Sequence, residues 1–577
     1  MAQYETLARP TGGPQDLIFG SFKNKKFAER ICLEDVATGQ VLNYGEMDDE
    51  TALAAGILKG LGISRGQTVS LLLENGLHFF MPWLGAMRVG SVANPINCLL
   101  PDADIIYAID LCQTRLLVTQ ERYVWDGGKN GPSALLNLIR EKFPELKILV
   151  MPDPQNFKTQ REPKPYREKG AGYLGTYGWN KISQFCKPQY YVEYRDLNDP
   201  FQLICTSGTT GRPKAVVQHC GMFLPNVRDI IKTYGLSGED RALLINRLFH
   251  VNAQVTNAFP MFLLGGAVVL GAPEPSKILK IISEKEITFS SMIPPTLNAI
   301  LKHYEKNGGK IPPKSSRKKM RFIIVGADIL RPELHKKFME STGIRIPSGW
   351  GMTETMCWGT GTALGDPIYW GSIGRAFSDF EVKIVDPEKN WEEAAHNQWG
   401  RLIVRGHNVF KEYFRNPEAT KKAFAPSVHW GEGWFDTGDT CRLIYKTGPL
   451  FFGSRASADS WKVRGEFVDG PKIDEYLLKN ALLEDAMAVP VAIESETESV
   501  ACVVPKKPET ACAKVWAESE ISNEIMGYCE SGRTGGTLDK HIKIKKIIVV
   551  EKIELGDTGK RSRKKTAEAA QKYIDEN

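Results

Sequence analysis

Several features are scarce in this sequence, and each scarcity excludes something. No apolar run is long enough for a bilayer. The longest, Ala258 to Pro273, is broken by Gly265-Gly266 and falls short of the roughly 20 residues a spanning helix needs. It is predicted to be a buried helix running into a buried strand. The opening residues, Met1-Ala-Gln-Tyr-Glu-Thr6, lack the basic-then-apolar pattern of a leader. The closing Tyr573-Ile-Asp-Glu-Asn577 matches no retention or peroxisomal address. The eleven cysteines are scattered without a Cys-x-x-Cys pair, the usage of a reducing compartment where thiols serve as small core residues. A cytoplasmic location is expected. An excess of one charge is also missing: 74 Lys and Arg against 68 Asp and Glu leave a net charge of +6. That gives no electrostatic footprint for nucleic acid. There is no internal repeat.

What remains is a long globular chain. At 577 residues, 42% hydrophobic and 25% charged, it exceeds one ordinary domain. Residues 42–150 alternate helical and strand spacing: a helix at Gly45–Leu61, a strand at Gln67–Leu73, a helix at Leu77–Arg88 and a strand at Ser91–Pro95. Such units argue for a parallel α/β sheet. Residues 152–170 are Pro-rich and charged, a surface loop. The α/β rhythm resumes at 201 and runs to about 350. Past 370 strands dominate (Glu381–Val385, Arg401–Arg405). The stretch from Gly453, Gly-Ser-Arg-Ala-Ser-Ala-Asp, reads as a linker. Beyond it, strands at Met487–Ala492, Val500–Val504 and Lys543–Val550 and a helix near Pro471–Asn480 fit a small α+β domain. The expected fold class is α/β: a large N-terminal domain of α/β subdomains plus a β-rich subdomain, then a small mobile α+β C-terminal domain. The boundaries are 1–454, a hinge at 455–461, and 462–577.

The most informative segment is Thr206-Ser207-Gly208-Thr209-Thr210-Gly211-Arg212-Pro213-Lys214. The two glycines permit a tight turn and close approach to a ligand. Hydroxyls and turn amides offer donors to phosphate oxygens, and Lys214 adds a compact positive charge. The apolar run Phe201–Cys205 reads as a buried strand delivering the loop. The combination suits a nucleoside triphosphate. It is not a Walker A loop, since Pro213 and Ala215 break that spacing.

Further segments accompany the loop: Leu248-Phe-His-Val-Asn252, Val325-Gly-Ala-Asp328, Gly349-Trp-Gly-Met-Thr-Glu-Thr355, Gly371-Ser-Ile-Gly-Arg375, Gly433-Trp-Phe-Asp-Thr-Gly-Asp439, Lys462-Val-Arg-Gly-Glu466 and Asp557-Thr-Gly-Lys560. In this order and spacing the chain resembles the adenylate-forming superfamily of acyl-CoA synthetases, adenylation domains and luciferases, from about residue 30 to 565. Leu248-Phe-His-Val-Asn-Ala-Gln254 resembles the branch of carnitine/crotonobetaine-CoA ligases.

The resemblance implies ATP, Mg²⁺ and CoA, with a small-molecule carboxylic acid as the other substrate. Thr206, Ser207, Gly208, Thr209, Thr210, Gly211 and Lys214 would cradle the triphosphate. Glu354, with Thr210, would hold Mg²⁺, a hard cation that prefers oxygen ligands. Thr353 can donate to the α-phosphate. Gly326, Ala327, Asp328, Trp350, Gly351 and Met352 would form the adenine and AMP site, with core packing as the other reading of Trp350. Asp439 and Arg455 resemble the ribose contacts. His250, Val251, Val325, Trp350 and Trp358 would line the acyl pocket, and His250 would steer the carboxylate; an interior histidine with satisfied bonds is the alternative. Lys560 resembles the lysine that bridges the carboxylate and the α-phosphate. A contact formed only near the transition state raises rate rather than binding. The C-terminal domain would then swing, bringing Lys462, Gly465 and Glu466 to the pantetheine tunnel.

The chain departs from the family pattern in places. The hinge reads Arg455-Ala-Ser-Ala-Asp459, one residue longer than usual, which leaves Ser457, Ala458 and Asp459 as hinge candidates. The segment before Lys560 lacks its prolines, Ala215 replaces a glycine, and Arg247 replaces a proline. Arg247 is read either as an anchor for a second carboxylate or as a surface ion-pair residue. Bulky Met356, Cys357 and Trp358 suggest a short acid. An adenylate former that loads a separate carrier protein is the alternative function. The basic run Lys560–Lys565 reads as a solvated helix face, a CoA-phosphate contact, or a nucleic-acid tail. No nucleic-acid partner and no membrane span are expected, and a homodimer is left open.

Overall fold

The computed structural model describes residues 14–125, 132–153, 175–206, 213–272, 274–306, 319–328, 330–426, 430–455, 460–463, 466–493, 496–506, 518–534, 543–556 and 561–576. The expected strand–helix–strand unit is present: Thr68–Leu72, Leu77–Arg88 and Val92–Pro95, with the two strands parallel. The preceding helix, Tyr44–Gly60, starts where Asn43 and Glu46 cap one another: Asn43 Oδ1 accepts from the Glu46 amide at 2.8 Å, and Glu46 Oε2 accepts from the Asn43 amide at 3.0 Å. Two donors that a helix start leaves orphaned are thereby satisfied.

Among the described residues, two large sheets organise the N-terminal part. One has seven strands in the order Thr176–Gly178, Lys147–Met151, Thr114–Gln120, Thr68–Leu72, Val92–Pro95, Pro200–Thr206 and Lys214–His219. It is parallel except for its last pair, which is antiparallel. The other has six, in the order Phe322–Val325, Phe289–Met292, Arg241–Leu244, Ala267–Leu270, Ile31–Asp35 and Val41–Asn43. Packed aromatics join their helices: Trp83 stacks on Phe259 at 5.1 Å, and Phe223 meets Phe259 edge-on at 4.7 Å. The long apolar stretch behaves as expected. A π-helical turn, Ala253–Ala258, leads into the helix Phe259–Leu264, Gly265 ends that helix with φ +77°, and the strand Ala267–Leu270 follows. Among the described residues no helix is long and apolar enough to cross a membrane.

The β-rich part is a five-stranded antiparallel sheet that includes Phe380–Asp386, Trp399–Gly406, Phe435–Leu443 and Leu450–Arg455. The hairpin Ser460–Val463/Glu466–Asp469 then leads to a three-stranded sheet, Leu483–Ile493, Glu496–Pro505 and Ile544–Val549, accompanied by the helices Gly470–Leu477, Glu518–Thr534 and Arg563–Glu576.

Two expectations are corrected. The linker reading of Gly453–Asp459 fails at its start, where Gly453 to Arg455 complete a strand. A Cβ on Gly453 would meet the Trp399 ring at 2.9 Å, so the glycine there serves packing rather than flexibility. Ala456 to Asp459, with the hinge candidates Ser457, Ala458 and Asp459, lie outside the described residues. The basic run is also not a wholly solvated face. Arg563 is buried and pairs with the buried Asp474 at 2.7 Å, and Arg561 pairs with Asp485 at 3.3 Å. A buried charge is tolerable only with such a partner. These two arginines are therefore spent inside the fold instead of forming a nucleic-acid surface.

Candidate active site

The strands Pro200–Thr206 and Lys214–His219 form an antiparallel pair in which Thr206 faces Lys214 and Cys205 faces Ala215. Residues 207–212 connect their ends. Ser207, Gly208, Thr209, Thr210 and Gly211 lie outside the described residues, so the site is built from what surrounds them. Thr206 Oγ1 donates to the Lys214 carbonyl at 3.4 Å. Among the described residues Lys214 has no ion-pair partner. Its ammonium lies 4.8 Å from the Tyr413 ring centroid, a cation–π arrangement.

Tyr413 is the residue that sequence reasoning missed. Its hydroxyl donates to Glu354 Oε1 at 2.9 Å, and both side chains are buried. Its segment zips onto the loop-bearing strand, with Phe414 N donating to Ala215 O at 2.7 Å and Val217 N to Glu412 O at 3.2 Å. Phe410 N donates to the Glu354 carbonyl at 2.7 Å. The only signal in the sequence was an aromatic pair after Lys411-Glu412, which is indistinguishable from core filling.

Thr353 and Glu354 sit on a single 3₁₀ turn, Thr353–Thr355, closed by Met356 with φ +66°. Before it, Gly351 admits no other residue: a Cβ there would lie 1.7 Å from the Cys357 carbonyl oxygen. Trp350 is buried, and its indole Nε1 donates to Asp439 Oδ2 at 2.8 Å. Asp439 faces Arg455 across paired strands. Ala327 adopts φ +66° just after the strand Phe322–Val325. Trp358 is buried against Gly326 and Gly349, whose Cβ positions would fall 2.5 and 2.8 Å from its ring. Its indole donates to Thr256 Oγ1 at 2.7 Å. Val325 is wholly buried, Val251 nearly so, and Met352 half-buried.

His250 is exposed, in a turn where its amide bonds the Arg247 carbonyl at 3.0 Å, and its ring lies 4.6 Å from Phe249. The interior-histidine reading is thereby excluded. Arg247 is half-buried and, among the described residues, forms no ion pair. Lys462 and Glu466 lie on the two strands of the Ser460–Asp469 hairpin. Gly465 and Lys560 fall outside the described residues. Cys220, Cys357 and Cys441 are unsuited to nucleophilic catalysis, because burial pushes Cys220 up to about 12 and raises Cys357 and Cys441 further.

The fold and site together define an α/β protein in which the buried carboxylate of Glu354 and the indole-held Asp439 accompany the strand pair that flanks residues 207–212. The profile of the family described as "AMP-binding enzyme" matches residues 22–414. The chain belongs to that family. It is 25% identical over 477 residues to a crotonobetaine/carnitine–CoA ligase of Proteus mirabilis, covering 81% of this chain and 85% of that one. It is 26% identical over 501 residues to a sulfoacetate–CoA ligase of Cupriavidus necator, covering 85% and 88%. ATP-bound MatB from Rhodopseudomonas palustris shares the fold, with a TM-score of 0.80 at 20% identity over 97% of this chain and 99% of that one.

Proposed function

We propose that the chain is an AMP-forming acid–CoA ligase. A carboxylate oxygen attacks the α-phosphorus of ATP and pyrophosphate leaves; the CoA sulfur then attacks the acyl carbonyl of the adenylate, forming the thioester as the acyl–oxygen bond breaks, AMP leaves and the thiol proton is released. The observation that carries this reading is the convergence of Lys214, Tyr413 and Glu354 beside the strand ends that flank residues 207–212, with Glu354 closely following in sequence the Trp350 that holds Asp439.

Each residue has a physical task. Asp439, aimed by the Trp350 indole, accepts hydrogen bonds from the ribose hydroxyls, with Arg455 beside it. Gly326, Ala327 and Asp328 edge the adenine, and Thr353 donates to the α-phosphate. Lys214 neutralises phosphate charge. A bound Mg²⁺ supplies further charge neutralisation on the departing pyrophosphate. Glu354 fits that ion: it is a hard oxygen donor whose Oε1 is held by Tyr413, while Oε2 makes no hydrogen bond among the described residues. A single protein carboxylate suits Mg²⁺, an ion usually bound by one or two carboxylates plus substrate phosphates. His250, exposed at the head of its turn, steers the acid, and Lys560 bridges the acid and the α-phosphate. Lys462 and Glu466 serve the thioester-forming step after a domain rotation. The buried Trp358 supports a short acid.

The decisive experiment is acid-dependent ATP–pyrophosphate exchange over a panel of short, branched, aromatic and dicarboxylic acids, followed by CoA-dependent AMP release. Exchange without any CoA requirement for AMP release would favour a carrier-loading enzyme instead. Lys560→Ala is expected to abolish exchange while still permitting thioester formation from a supplied acyl-adenylate; equal loss of both steps would overturn its role.

A further inference from the structure

A chain of buried side-chain amides runs between the segments that carry the proposed site. Gln202 lies on Pro200–Thr206, Gln218 on Lys214–His219, and Gln254 in the π-helical turn Ala253–Ala258; all three are fully buried. The indole N–H of the buried Trp83 lies 2.9 Å from Gln202 Oε1. An indole can only donate, so this contact fixes the orientation of the Gln202 amide. Its Nε2 must face the other two glutamines, and it lies 2.9 Å from Gln218 Oε1 and 2.7 Å from Gln254 Oε1.

The polarity then propagates outward. Gln218 Nε2 donates to the carbonyls of Thr353 at 3.1 Å and Met356 at 3.2 Å. Gln254 Nε2 donates to the carbonyl of Leu248 at 2.7 Å. One arm therefore ends on the turn of Thr353 and Glu354, and the other on the turn of His250. The central residue and Gln218 sit on the two strands that flank residues 207–212. No single amide can flip without setting two N–H groups or two oxygens against each other.

Burying three primary amides costs desolvation that only complete bonding offsets. A core needing cohesion alone is served as well by apolar side chains. The wide π-helical turn is the kind of local irregularity that collects at functional sites, and it delivers Gln254 to the relay.

We propose that Gln202, Gln218 and Gln254 are positioning residues that align the nucleotide-facing and acid-facing turns as one unit. The claim rests on the ligase reading above. Its test is steady-state pyrophosphate exchange on the full chain with an acid accepted by the wild type, together with thermal melting. Gln218→Met cuts only the Thr353–Met356 arm and should raise KM for Mg-ATP by about fivefold or more, with the acid KM nearly unchanged. Gln254→Met cuts only the Leu248 arm and should show the converse. Gln202→Glu keeps the shape but presents oxygen to both neighbouring amides; it should raise both KM values and lower kcat by about tenfold or more. Should Gln202→Glu fail to fold, the two arm variants carry the test. Lower melting temperatures with both KM values and kcat at wild-type levels would overturn the proposal, as would identical shifts in both arm variants. Absence of exchange by the wild type with every acid would sink the ligase reading instead. In that case ATP titration calorimetry on Gln218→Met and Gln254→Met still reads the relay: weaker nucleotide binding in the first alone supports it, and equal binding overturns it.

Discussion

The indole nitrogen of Trp350 donates to Asp439 Oδ2 at 2.8 Å, both side chains being buried. The tryptophan thus holds a carboxylate rather than merely filling space. Trp350→Phe keeps the ring and removes the donor. A lost bond to a charged group costs about 1.5–3 kcal/mol, so KM for ATP should rise by roughly ten- to a hundredfold. If Asp439 grips the ribose, the penalty should largely disappear when 2′,3′-dideoxy-ATP replaces ATP in the exchange assay. An equal penalty with both nucleotides would mean that Trp350 acts on the adenine.

Tyr413→Phe removes the only hydroxyl that bonds Glu354 Oε1 among the described residues. The aromatic face beside Lys214 is kept. The expected outcome is a several-fold higher Mg²⁺ concentration for half-maximal exchange, with little change in melting temperature. A variant titrating Mg²⁺ like the wild type would remove Tyr413 from the site.

Asp474 and Arg563 form a buried pair at 2.7 Å in the C-terminal part. Arg563→Met removes the nearest cation from the buried Asp474, leaving it the Ala488 amide at 2.6 Å and the more distant Arg561 at 3.8 Å. Breaking such a pair costs about 3–5 kcal/mol. Urea unfolding should show an early transition with loss of CoA-dependent thioester formation, while ATP binding survives at low urea.

Three buried histidines predict acid lability. Burial lowers His78 to about 3, and His219 and His335 to about 4, from an ordinary value near 6.5. Between those values the unfolded chain binds protons that the native chain refuses, so stability falls as pH drops below 6.5. Fully expressed, such shifts amount to roughly 3 kcal/mol each for His219 and His335 and roughly 5 kcal/mol for His78. Melting temperatures should hold from pH 7.5 to about 6.5 and then decline toward pH 4.5, and His335→Gln should decline less.

Much of the N-terminal fold was legible because its signals are local. The alternation at 67–95 needs no partner to be read, and neither does the apolar stretch from Ala258 with its Gly265 stop. The segment at 206–214 stands out for the same reason, its glycines, hydroxyls and lysine being contiguous, although Ser207 to Arg212 lie outside the described residues. The glycine at 453 misled, since smallness demanded by a distant Trp399 looks identical in sequence to smallness that confers flexibility.

The order and chemistry of the motifs, and with them the family, follow from the sequence alone, because short segments carry their residue types regardless of what packs around them. The tertiary structure alone decided that Tyr413 reaches Glu354, that Trp350 aims Asp439, and that three glutamines separated by up to 52 positions share one hydrogen-bonded relay. The physical reason is that a hydrogen bond is specified by where two groups meet in space, and that meeting is set by sheet pairing and packing rather than by any local pattern.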